Sequence, residues 1–391
     1  MEFWNQRHYS CLKVLSCLLG LWPYQSSREI LIYRTAAVVL FILQTTPQIL
    51  ALKSYYYDFQ LVMESMTYFM IEITFIVNFV TYLFQFNKMR NMLDMIREDW
   101  GIFTEDNGLR ILHTYASQGQ KFSVLYAGSL YVSGVFTTLK PLQLRLMNIL
   151  FKSNISVPKF FIPMDYGMIN VDKYYYGLLC LSEMSVSIIV VMVLAYDLFF
   201  FLCAQHICGL FTALGYCALC VAVEKIPTDC QLLVDGTYNY LKTCVTVHKR
   251  ILRFVNLLDE ILRWNTFILL GFTMIDLSMI ELQLALHLDD IGEVLKNLVF
   301  IGSVMTRFFI ICFVAQRVTD HSVDFQNNLI NSRWCDISLK SRHLIKFFIM
   351  RSQRPCQLTT GKVLVMSFQL FTVVVKASGS YFTMLLAMQG H

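Results

Sequence analysis

Eight ionisable side chains stand inside otherwise apolar stretches of this 391-residue chain: Glu64, Glu72, Glu183, Asp197, Asp276, Glu281, Arg307 and Lys376. Such groups are costly in an apolar solvent. They mark binding sites and ion paths by default, or they pair with one another in the interior. Asp197 and Arg307 form one candidate pair, while Glu183 and Glu281 lie where water reaches them. A proton relay is a third possible chemistry, but no chain of carboxylates supports it. Catalysis is poorly provided for. The chain has no GxSxG, HExxH, P-loop or GxGxxG motif. His206, His248 and His287 fall on different segments, so no catalytic residues are assigned. Cys217 and Cys220 have CxxC spacing without a second pair or a histidine pair. They read as small helix cysteines rather than a metal site. No cofactor is expected.

The elements that must hold these groups are apolar helices. The composition is 56% hydrophobic and 15% charged, against about a quarter charged in soluble domains. A net charge of +5, dispersed along the chain, does not form a nucleic-acid footprint. A bilayer-spanning helix needs about 20 mostly apolar residues. Seven windows qualify: Leu31–Leu52, Phe59–Phe86, Phe122–Leu139, Tyr174–Cys203, Trp264–Leu286, Val294–Ala315 and Leu358–Met388. The apolar stretch Ile207–Val223 is either an eighth span or a buried extension of the fourth. Its glycines and cysteines, and the following Glu224–Lys225, favour the extension. The N-terminal segment 1–30 shows no cleavable signal and reads as a cytoplasmic or interfacial helix.

Basic residues set the expected orientation. With the N-terminus inside, segments 1–30, 87–121, 206–263 and 317–357 hold 21 lysines and arginines, and the opposite loops hold 4. The expected architecture is therefore an all-α, seven-helix membrane protein, N-terminus cytoplasmic and C-terminus extracellular. It is a single unit: spans one to four over 31–203, cytoplasmic helices over 206–263, spans five and six over 264–315, a cytoplasmic segment 317–357, and a last span over 358–388. The sequon at Asn154 falls in an outside loop, where glycosylation is possible. The 12 cysteines avoid the expected outside loops, which fits reduced thiols. Leu241, Val245, Ile251, Leu252, Val255, Leu258 and Leu262 recur at three- and four-residue steps. They predict a helix over 237–263 that runs into the fifth span and buries its stripe against other helices or another subunit. The basic segment 340–357 reads as a flank on the positive side or as a contact with lipid headgroups. In the last span, small and hydroxyl side chains concentrate in the outer half, fitting helix packing or a water-filled pore equally.

Near the C-terminus the residues become specific. MRSQRPCQLTTGK (Met350–Lys362) and FQLFTVVVKASGSYFTML (Phe368–Leu385) resemble the closing signature of insect odorant receptors. Asp197 and the run His206–Phe211, the stretch VHKRILRFVNLLDEI from Val247, and NSRWCDIS from Asn331 are similar to the same family. The detail resembles hymenopteran members. The resemblance implies a tetrameric, ligand-gated, non-selective cation channel in the plasma membrane of olfactory sensory neurons. The short 206–263 segment implies an odorant-specific subunit that works with a co-receptor subunit, not the co-receptor itself. It implies a small-volatile site lined by Tyr68, Phe69, Tyr131, Gly134, Thr138, Met184 and Phe300. It also implies a pore face of Val373, Ala377, Ser380, Met384, Ala387 and Met388, with Met384 at the narrowest apolar ring. Alternatives are a gustatory-type channel subunit, whose closing Gln-Phe is missing here, and a G-protein-coupled receptor, whose Asp-Arg-Tyr and Asn-Pro-X-X-Tyr motifs are missing. A transporter lacks its internal repeat here.

Overall fold

The computed structural model describes residues 2–102, 106–151, 159–167, 169–220, 231–289, 291–332 and 334–389. Asn154, Glu224, Lys225 and Cys230 lie outside them. The chain is built from α1 (Ser10–Leu18), α2 (Ser27–Ser54), α3 (Phe59–Asp99), α4 (Asp106–Thr138), α5 (Lys140–Phe151), α6 (Val171–Cys220), α7 (Gln231–Leu286), α8 (Ile291–Asn331) and α9 (Leu339–Ser352). A two-stranded hairpin of β1 (Thr359–Thr360) and β2 (Leu364–Val365) follows, then α10 (Phe368–Gln389).

Local chemistry explains several boundaries. Ser26 caps α2 through a reciprocal pair with Glu29: its hydroxyl accepts from the Glu29 amide at 3.3 Å and its amide donates to Glu29 Oε2 at 3.1 Å. Asp58 caps α3 by accepting from the Leu61 amide at 3.2 Å. Among the described residues, α2, α3, α6, α7, α8 and α10 are long and apolar enough to cross a membrane. The third expected window lies on α4, which runs alongside them. Its last turns are diluted by Ser123, Ser129, Ser133, Thr137 and glycines, so its hydropathy is lower than that of its neighbours. The chain thus has six to seven apolar helices and is a multi-pass membrane protein.

Helix α6 is the central post. Of its most apolar window 72% is buried, against 17% for α8 and 11% for α10. The Ile207–Val223 stretch continues α6 to Cys220 as a buried extension rather than an eighth crossing: Ile207, Cys208, Leu210, Phe211, Ala213 and Leu214 are buried. Helix α7 is likewise continuous through 237–263 and the fifth span, and its expected stripe is buried at Leu241, Ile251, Val255, Leu258 and Leu262.

The bundle has a base, where α1, the first half of α7 and α9 gather, and a mouth, where α2 turns into α3 and α7 into α8. The hydrophobic core concentrates at the base, with Met89, Met92, Ile96, Phe254, Leu258, Phe325 and Leu329 all shielded. Asp99, itself buried, is held there by His206 Nε2 at 3.0 Å and by Arg250. Arg250 also reaches Glu98 Oε2 at 2.9 Å and the Met95 carbonyl at 3.2 Å.

The expected last span is corrected at its start. Residues 358–367 do not join the helix, which begins at Phe368. Gly361 and Lys362 both take positive φ, +63° and +61°, and the Val363 amide donates to the Thr360 carbonyl at 3.2 Å. That is the mirror-image turn of tight hairpins. Side-chain and backbone bonds fasten it to α7. The Thr359 amide and hydroxyl donate to Asp259 Oδ1 at 2.6 and 2.8 Å, and the Gly361 amide donates to the Arg263 carbonyl at 2.9 Å. A Cβ at Gly361 would stand 2.6 Å from the Phe267 ring, so only glycine fits there. The stretch Thr359–Lys362 is therefore a structural fastener.

Candidate ligand site and pore helix

Towards the mouth, α3 and α8 bring together two of the residues expected around a ligand. Tyr68 is buried. Its ring lies edge-on to Phe300 at 5.8 Å and to Phe161 at 5.4 Å, and Phe161 and Phe300 stack at 6.5 Å. Phe161 escaped the sequence reading because it sits in a connection between helices, where no periodicity marks an inward side chain. The adjacent Phe160 and Phe161 were the available signal. Phe69 is half-buried and, one residue on, points about 100° around the helix from Tyr68.

The other expected residues lie where α4 packs on α6. At Gly134 an added Cβ would meet Val190 at 3.4 Å, so a glycine permits close approach. Thr138 is buried and donates to Glu183 Oε2 at 2.7 Å. Tyr131 and Met184 are 41% and 53% exposed, and the Tyr131 hydroxyl is 3.5 Å from Ser187 Oγ. A shallow groove between the mouth ends of α3 and α7 is lined by Tyr57, Phe59, Met63, Gln283 and His287.

A more enclosed cavity lies at the base, among His8, Tyr9, Trp100, Tyr115, Gln205 and His206. It has room for only about one or two waters, too little for an odorant. Burial first, then the charges of His113 and Arg7, holds the His8 imidazole below its ordinary range. This cavity belongs to the packing of the N-terminal segment rather than to a volatile site.

Most of the intramembrane charges find partners. Arg307 on α8 grips Asp197 on α6 with two bonds, Nε to Oδ2 at 2.9 Å and Nη2 to Oδ1 at 3.0 Å. Tyr126 on α4 donates to Oδ2 at 2.7 Å. The expected Asp197–Arg307 pair is therefore real, and it ties three helices together. Glu72 accepts from Thr45 at 2.8 Å, Lys296 contacts Glu64 at 3.0 Å and Glu293 at 2.6 Å, and Ser378 donates to Glu281. Asp276 is buried, and its Oδ1 has no partner among the described residues.

Helix α10 is two-faced. Leu370, Val374 and Ser378 are buried against α7 and α8. Phe371 packs on Phe309 at 5.2 Å and on Phe308 at 6.0 Å, and Phe368 packs on Phe309 and Phe313 at 5.9 and 6.1 Å. On the other side Val373, Ala377, Ser380, Met384, Ala387 and Met388 are all exposed, forming one uncovered stripe at three- and four-residue steps. Lys376 is exposed too, about 60° from the middle of that stripe.

A family model described as 7tm Odorant receptor matches residues 58–379. The chain belongs to the odorant receptor family. That is a receptor family, not an enzyme family. Among curated relatives, odorant receptor 63a of Drosophila melanogaster is 23% identical over 54% of this chain and 50% of its own. Odorant receptor Or2 of Anopheles gambiae is 28% identical over 37% of this chain and 38% of its own. The match thus spans half or less of the length of these relatives. In fold, this odorant receptor is similar to the insect olfactory receptor OR5 of Machilis hrabei in complex with eugenol. That likeness has a TM-score of 0.75 at 15% identity and covers 99% of this chain and 98% of that one.

Proposed function

We propose that this odorant receptor is an odorant-specific subunit of a ligand-gated, non-selective cation channel. It works in the plasma membrane of olfactory sensory neurons, N-terminus cytoplasmic and C-terminus outside, in a hetero-oligomer, a tetramer, with a co-receptor subunit and surrounding lipid. A small volatile ligand binds towards the mouth, where Tyr68, Phe69, Tyr131, Gly134, Thr138, Met184 and Phe300 are the candidate contacts. Helix α10 lines the conduction path through Val373, Ala377, Ser380, Met384, Ala387 and Met388.

The uncovered stripe of α10 carries this reading. A helix whose other side is packed, and whose free side carries small and apolar residues, hydroxyls and Lys376 but no acidic residue, suits a symmetric opening better than a lipid-facing anchor. A ring of methionines closes such a pore by dewetting. Helix α8 links the two ends of the mechanism. It carries Phe300 beside the candidate ligand site, Arg307 about two turns on, and then Phe308, Phe309 and Phe313 against Phe368 and Phe371 of α10. A ligand opens the channel to the extent that it binds better to the arrangement of α8 that lets α10 withdraw.

The test is electrical. In cells co-expressing the co-receptor, Met384→Ser makes the ring wettable, so basal current rises or ion selectivity changes while odorant preference stays. Met384→Ser and Met388→Ser that both leave basal current and permeability unchanged, at normal surface expression, would remove this face from the conduction path.

A further inference from the structure

Between α3 and α8, near the mouth, polar side chains have lost water without finding a partner. Tyr68 is 5% exposed and Asn297 1%. Among the described residues the Tyr68 hydroxyl and Asn297 Nδ2 find no hydrogen-bond partner. Ser65, equally buried, also has an unpartnered hydroxyl. Helical spacing puts Ser65 and Tyr68 on one side of α3, and Asn297 and Phe300 on one side of α8. The ring contact between Tyr68 and Phe300 brings those two sides face to face. Buried polar groups in folded proteins are almost always satisfied, so orphans gathered in one place point to a missing partner.

The donors say what that partner is. An amide N–H and a phenol O–H converge best on one acceptor oxygen. Phe161 and Phe300 supply apolar walls for the rest of the molecule. The neighbouring charges exclude an anion. The Lys296 ammonium is already held by Glu64 and Glu293, so a carboxylate ligand finds no free cation and two like charges. A protonated amine offers no acceptor to Asn297. An alkane leaves both donors unpaired, and a site built to bond an oxygen discriminates strongly against an analogue without one.

We infer that the ligand of this site is a neutral volatile with an apolar body and one acceptor oxygen, for example the carbonyl of a ketone, aldehyde or ester, which accepts from Tyr68 and Asn297. This rests on the ligand site proposed above and narrows it. The experiment compares a homologous series of methyl ketones with n-alkanes of matched length on cells expressing the chain with the co-receptor. Ketones activate at lower concentration than alkanes. Tyr68→Phe and Asn297→Leu, both close in shape to the originals, each raise the half-maximal ketone concentration by about tenfold and leave alkane responses in place. Phe300→Ala weakens responses to both series. Alkanes matching ketones in the parent receptor overturn the acceptor-oxygen inference. So do unmoved ketone responses in Tyr68→Phe and Asn297→Leu while Phe300→Ala still weakens them, and either result leaves the site itself standing. A Phe300→Ala receptor with every response unmoved, at equal surface level, removes the site and the inference with it.

Discussion

The base and the mouth of this bundle use similar residues for opposite ends. At the base, Asp99 is wholly buried, yet His206, Arg250 and their neighbours answer its charge, and methionine, leucine and phenylalanine fill the space around them. At the mouth, Tyr68, Ser65 and Asn297 are just as deeply buried and go unanswered, while Tyr131 and Met184 are left open. A buried charge answered inside a filled core contributes stability, even though His8 Nδ1 and Gln205 Oε1 beside it lack partners among the described residues. Orphaned groups gathered between two aromatic rings have room for something to arrive. The base therefore reads as the part that holds the subunit together, and the mouth as the part that responds.

Three substitutions break or sharpen that contrast. The largest effect is expected at the boundary between the regions. Arg307→Ala leaves Asp197 charged and uncompensated among three helices, which costs about 3–5 kcal/mol. Surface expression measured by an extracellular tag should collapse, and Asp197→Leu with Arg307→Leu together should restore much of it, because an apolar pair carries no orphaned charge. Restoration of folding without odorant current would place the pair in the coupling between ligand and pore. Next comes the base. Leu258→Ala opens a hole beneath a fully shielded residue and should lower stability by about 3 kcal/mol, read as a drop in the melting temperature of the detergent-purified receptor, with ligand preference unchanged. Altered ligand preference there would erase the contrast. The smallest effect is at the mouth. Tyr131→Ala should change stability by under about 0.5 kcal/mol and show itself only in the response curve of the best odorant. A clear loss of melting temperature would mean that Tyr131 is a packing residue after all.

Much of this was legible in the residues. The apolar windows yielded the helix order, because membrane helices must satisfy their own backbones and so declare themselves by length. The Asp197–Arg307 pair was legible for a related reason: two opposite charges within apolar helices have few places to go. The continuity of α7 followed from a stripe unbroken by glycine or proline. Three features were not legible. Phe161 faces inward from a connection, where position depends on tertiary packing alone. The hairpin before α10 hides inside an apolar run, and Leu358, Val363, Leu364 and Val365 look like helix until Gly361 is recognised as a turn. The orphaned hydroxyls and amide at the mouth are invisible to sequence, since satisfaction is a property of neighbours.

The hairpin fastened to α7 gives α10 the mechanics of a lever. Its first residue follows the clamped turn almost at once, and beyond Ser378, which bonds Glu281, the described residues make no side-chain bond to another helix. Met384 and Met388 stand sixteen and twenty residues beyond Phe368, which at a rise of about 1.5 Å each is about 24 and about 30 Å from the fulcrum. A tilt of about 5° about that point moves Met388 by about 2.6 Å and hardly displaces Phe368. With the fulcrum at the base end, a push from α8 near Phe371 would act on the short arm, and the opening proposed for α10 would widen towards the mouth, where the methionines are.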